Sequence, residues 1–95
     1  MSAHIVVATI HARPGCEAAL EASLAALVPP SRAEAGCLRY DLHRDVNDPL
    51  TFVYLEAWES VEVHQAHMRT PHFLAARKAQ EPLVAAREVR ILAQV

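Results

Sequence analysis

Two segments of this chain are apolar on both faces when extended, and that limits the folds open to it. In Thr51–Glu59 (TFVYLEAWE), Phe52, Tyr54, Glu56 and Trp58 point one way and Val53, Leu55 and Ala57 the other. In His4–Ala12 (HIVVATIHA), Ile5 and Val7 oppose Val6, Ala8 and Ile10. A sheet with one wet side alternates apolar with polar residues. These strands do not, so both faces of their sheet need cover. Ninety-five residues make one domain, expected to span 1–95, and its helices can cover only one face. Apolar residues make up 53% of the chain, more than so small a core absorbs. The expected cover for the second face is a second copy, sheet against sheet in a symmetric dimer.

The remaining elements follow from local signals. Arg13-Pro14-Gly15 ends the first strand, and Pro14 suits a first helical turn. Cys16, Leu20, Leu24, Leu27 and Val28 then form a helical stripe, interrupted at Pro29-Pro30, with a further turn reaching Glu34 and an end at Gly36. Cys37–Asp45 (CLRYDLHRD) alternates as a strand, with Leu38, Tyr40 and Leu42 opposite Arg39, Asp41 and His43. Asn47-Asp48-Pro49 predicts the turn of a hairpin to Thr51–Glu59. Ser60 caps a helix running to about Arg69; Thr70-Pro71 starts another that ends near Pro82. Glu88–Val95 is the last strand. The order is β-α-β-β-α-β with the second helix broken: an α+β, ferredoxin-like chain with a four-stranded antiparallel sheet.

The formal net charge is −2 and no run of Lys or Arg forms a basic face, which argues against nucleic acid as a partner. The opening MSAHIVVATI lacks a cationic region and its apolar run stops at His11, so neither an export signal nor a membrane span is expected. Cys16 and Cys37 have no CxxC spacing and are read as reduced thiols. A cytoplasmic location is the resulting expectation.

The stretch GCLRYDLHRDVNDPLTFVYLEAWES, followed by HMRTPHF, resembles the antibiotic biosynthesis monooxygenase domain family of small dimeric α/β barrels. The matching pattern is Gly-Cys, an aromatic at Tyr40, a DP turn, Glu-x-Trp-x-Ser and His-x-x-Thr-Pro-His, in an order that spans essentially the whole chain. The resemblance implies oxidation of phenolic or quinol compounds by dioxygen without flavin, haem or metal. The quinol monooxygenase branch looks nearest, through Glu56, Trp58, Glu59, Ser60 and Thr70, Pro71, His72. A neighbouring branch acts on a phosphorylated sugar signal and shares the Thr-Pro-His element. Haem-degrading relatives use a first-strand asparagine, a tryptophan and a helix histidine; here those positions hold Ala8, Trp58 and Arg77, which points away from haem.

A quinol must lose a proton before it can pass an electron to oxygen, so the site needs a base beside a dry pocket. Glu56, between Tyr54 and Trp58 on one strand face, is the first candidate, because burial raises a carboxyl pKa. It suits equally a structural pairing with an arginine or a backbone donor. His67 and His72 are the candidate imidazole bases; a plain hydrogen bond to the next helix cap is the alternative. His64 shares a face with His67, or faces water; His4, His11 and His43 read as surface or interface groups. Tyr40 and Trp58 would wall a ring-binding pocket or simply fill the core. Arg77 would hold an anionic group or lie on a solvated helix face. Two histidines three apart, with Glu56 or His72, could in principle hold zinc, but no metal is expected. Two other functions stay open: an isomerase of a small phosphorylated sugar, with Arg77 or Arg39 as phosphate grip, and a dimer that binds a small apolar ligand without turnover.

Overall fold

The computed structural model describes residues 3–95; Met1 and Ser2 of the opening segment lie outside the described residues. Strand β1 (His4–Ala12) leads into helices α1 (Glu17–Ala26) and α2 (Val28–Arg32). Strands β2 (Cys37–Asp45) and β3 (Asp48–Trp58) follow, then α3 (Val61–His67), α4 (Pro71–Gln80), a 3₁₀ turn at Glu81–Leu83 and β4 (Val84–Leu92). All pairings are antiparallel, in the order β2-β3-β1-β4. This is the ferredoxin-like fold expected from the element order. The smallest dimension is 18 Å, one sheet and one helix layer thick.

The period-two reading of the strands holds. Val6, Ile10, Phe52, Tyr54, Glu56 and Trp58 are buried under the helices, packed against Leu20, Leu24 and Leu27. The Tyr54 hydroxyl donates to the Leu24 carbonyl at 2.5 Å, which fixes α1 over the sheet. On the opposite face the two central strands align Ile5 with Ala57, Val7 with Leu55 and Thr9 with Val53. These residues are half-buried only by one another and by the edge strands.

Four boundaries differ from expectation. Pro14 sits in a turn closed by the Cys16 amide on the Arg13 carbonyl (2.9 Å), with Gly15 at φ +88°, and α1 starts at Glu17. The hairpin turn is Val46-Asn47, and Asp48-Pro49 already belongs to β3; the Asp48 carboxylate caps the strand start by accepting from the Leu50 amide and the Thr51 hydroxyl. Strand β4 begins at Val84, four residues early, because pairing with His11 and Ala12 outweighs the weak strand preference of Ala85 and Ala86. It ends at Leu92 rather than Val95. The caps are as expected: Ser60 Oγ accepts from the Val63 amide and Thr70 Oγ1 from the Phe73 amide. No helix among the described residues is long and apolar enough to cross a membrane.

Candidate active site

Between sheet and helices lies a cleft with an enclosed volume of about 70 Å³ that opens to solvent. Its floor is Val6, Ala8 and Ile10 of β1 with Tyr40 and Tyr54; its roof is Leu27, Met68, Phe73 and Ala76. Into this apolar chamber project Glu56, His64, His67, Arg77 and Arg87.

Glu56 sits mid-sheet, paired with Val6 on one side and Tyr40 on the other, and is 6% exposed. Its Oε1 accepts from the Trp58 indole nitrogen at 3.0 Å. Burial pushes its carboxyl up to about 7; the Trp58 bond opposes the rise and the Glu34 charge adds to it. This carboxyl exchanges its proton near neutrality and stands beside an enclosed space.

His64 Nε2 lies 3.9 Å from Glu56 Oε1, within ion-pair reach. Burial, with His4 and His67 nearby, holds His64 down to about 4, so at neutral pH the imidazole is uncharged and the contact is not an ion pair. Its Nδ1 is 3.1 Å from His4 Nε2 and its ring stacks on Trp58. His64 is therefore buried, not water-facing, and His4 is tied to the site's back wall.

His67 is 1% exposed and enclosed by Tyr40, Trp58 and Phe73. Burial lowers its pKa, against the pull of the Glu34 carboxylate. Its Nδ1 bonds Glu34 Oε2 at 2.8 Å. That contact selects the Nδ1–H tautomer and leaves Nε2 as the nitrogen able to take a proton. His72 Nε2 reaches the same Glu34 oxygen at 2.6 Å from the far side, and does not line the cleft.

The structure thus brings Glu56, His67, Tyr40 and Arg77 to one chamber and leaves two expected site residues behind it. Trp58 is fully buried and stands behind Glu56, holding the carboxylate rather than lining the space. His72 buttresses Glu34. Two cleft or buttress residues were not foreseen. Glu34 lies between two alanines, ahead of Gly36, and no periodicity links it to a histidine 33 positions later. Arg87 fell outside the expected last strand; in the register it faces Ile10 from the inner side of β4. Arg39, by contrast, is bound to Asp41 at 2.6 Å, away from the cleft. Glu34, His67 and His72 have ligand atoms within 4.8 Å of one another and are the described residues best placed to hold a metal ion. The shared carboxylate oxygen already accepts from both imidazoles, so the trio is also complete as a hydrogen-bonded set.

Residues 3–79 match the antibiotic biosynthesis monooxygenase family. The chain belongs to that family. "Putative monooxygenase Rv0793" of Mycobacterium tuberculosis is 38% identical, over 76% of this chain and 70% of the relative. "Probable quinol monooxygenase YgiN" of Escherichia coli is 34% identical over 92% of this chain and 93% of its own. Among solved structures, PA3566 from Pseudomonas aeruginosa superposes with a TM-score of 0.97 at 41% identity, covering 100% of this chain and 96% of that one. In this member of the antibiotic biosynthesis monooxygenase family the cleft is lined by one acid, Glu56, two buried imidazoles, His64 and His67, and two guanidiniums, the half-buried Arg87 and the exposed Arg77.

Proposed function

We propose that the protein is a cofactor-independent monooxygenase that oxidises a small quinol or phenolic compound with dioxygen, acting as a symmetric dimer. The observation that carries the reading is Glu56: a carboxyl buried in an apolar chamber and poised near neutrality, suited to take a phenolic proton. His67, held in one tautomer by Glu34, is the second base. Deprotonation makes the ring electron-rich enough to pass an electron to dioxygen, and the dry walls protect the radical pair from water. The electron count closes without a cofactor. A quinol and one dioxygen give a hydroxylated quinone and one water, and all four electrons come from the substrate. The relatives' names support the same class. An isomerase of a phosphorylated sugar fits less well: Arg77 and Arg87 suit a phosphate, but most of the wall surface is apolar, where a sugar needs several hydroxyl partners.

The test is oxygen uptake with reduced quinols. Uptake of about one dioxygen per quinol is expected, at a rate that falls about 10²-fold or more in His67→Ala. Quinol binding without any oxygen consumption would leave a ligand-binding protein.

The dimer rests on Ile5, Val7, Val53, Leu55 and Ala57, a continuous apolar patch at the centre of the helix-free face, ringed by Arg39, Asp41, His43, Glu88 and Arg90. An apolar centre with a charged rim is the anatomy of a self-complementary interface. Leu55→Lys is expected to convert the dimer to monomer in sedimentation velocity. A wild-type monomer at micromolar concentration would remove the barrel.

A further inference from the structure

Resting on the proposed oxidation of a phenolic compound, we infer that the substrate carries an anionic group, which Arg77 and Arg87 grip at the mouth of the cleft while its hydroxyl meets Glu56. Arg87 is the telling residue. It projects from the helix-facing side of β4, where its neighbours Val89 and Ile91 are apolar, and lines the cleft half-buried. A cation brought out of water is expected to have a counter-ion. Among the described residues none pairs with Arg87: its one side-chain bond is to the neutral Gln80 Oε1, at 2.8 Å. Gln80 is itself buried and tied to Ser23, so the guanidinium is aimed rather than loose.

Arg77 lines the same mouth from α4, over the Phe73 ring at 5.3 Å, and also forms no ion pair among the described residues. Burial and then the Arg77 charge hold Arg87 below the usual arginine range. Two cations facing one apolar space, without a carboxylate between them, form a fork that fits a carboxylate or a phosphate.

The register sets the length of the ligand. Glu56 pairs with Val6 from β3 and Arg87 with Ile10 from β4, so they stand on opposite sides of β1, about 13 Å apart along it and about 10 Å across it. The Arg87 side chain closes part of that gap, and one ring bearing a hydroxyl and an acid group spans the rest. The ligand class is therefore a hydroxylated aromatic acid or aryl phosphate, lying diagonally across β1.

Calorimetric titration with 2,5-dihydroxybenzoate and with its neutral methyl ester tests this. The acid is expected to bind at least about tenfold tighter at low salt, with the difference shrinking as salt rises. Arg87→Gln should bring the two within about threefold, and Arg77→Gln, at an exposed position, should do so in part. An acid that binds no tighter than its ester, or a preference untouched by both variants, overturns the inference. Oxygen uptake in the same samples separates the two proposals. Acid preference without oxygen consumption removes the oxidation and keeps the anion grip. Equal turnover and equal binding of acid and ester keeps the oxidation and removes the grip.

Discussion

Glu56→Gln is expected to abolish oxidation while making the protein more stable at pH 8. The carboxyl is pushed from its ordinary value near 4.5 up to about 7 by burial, so the folded protein keeps this proton where the unfolded chain has released it. Folding takes up a proton between those two pH values, and stability therefore falls as pH rises through the window. Above it the whole cost of a buried carboxylate remains, on the order of 3 kcal/mol. Glutamine removes that cost and keeps an oxygen for the Trp58 indole. Its melting temperature should exceed the wild type's at pH 8 and match it near pH 4.5. Catalysis moves the opposite way: the rate should fall about 10²–10⁴-fold without the base. In the wild type the rate should climb with pH and level off above about 7, since the ionised form accepts the proton. His64, held at about 4, is already neutral across that range, and burial lowers His67 below its ordinary value, so a rise near 7 that Glu56→Gln removes belongs to Glu56. An undiminished rate in Glu56→Gln, or a wild-type rate that drops through pH 7, would show that the carboxyl only props the indole.

How far this could be read from sequence follows from which interactions are local. Alternation in HIVVATIHA and TFVYLEAWE assigned the apolar side chains and Glu56 of the two central strands to their faces, because a strand's period is independent of what packs on it, whereas His4, read as a surface or interface group, backs His64. Ser60 and Thr70 were legible for the same reason: a cap acts within three residues. The Glu56 desolvation was legible because its aromatic neighbours lie two positions away on the same face. What escaped depends on chain crossings. The Glu34 bonds to His67 and His72 join segments that no pattern relates, and the inward aim of Arg87 depends on β4 pairing with His11 and Ala12. Trp58 illustrates the limit from the other side: its place on the inner face was readable, but whether it touched the cavity or the carboxylate in front of it depended on side-chain packing.

Gly36→Ala is the largest expected loss of stability among single small substitutions, and it explains why glycine precedes Cys37. The residue has φ +84°, where a side chain costs about 1–2 kcal/mol. A Cβ there would also lie 2.7 and 2.9 Å from the two methyl groups of Val63, the branched end of a stiff side chain on α3. Relieving that overlap costs a further 1–3 kcal/mol or so. The total, about 2–5 kcal/mol, should lower the melting temperature by roughly 10 °C or more in a domain of this size. Gly15 supplies the control: it has φ +88°, and a Cβ added there would meet nothing within 4 Å, so Gly15→Ala carries the backbone cost alone. Adding Val63→Ala to Gly36→Ala should relieve the clash, seen as a favourable coupling of about 1 kcal/mol or more in a double-mutant cycle. The consequence reaches the site, because the Gly36 carbonyl accepts from the Glu59 amide while the Cys37 amide bonds the Glu34 carbonyl, so the same turn carries the carboxylate that orients His67. If Gly36→Ala proves no worse than Gly15→Ala, α3 does not press on this turn, and the placement of Glu34 must depend on His67 and His72 instead.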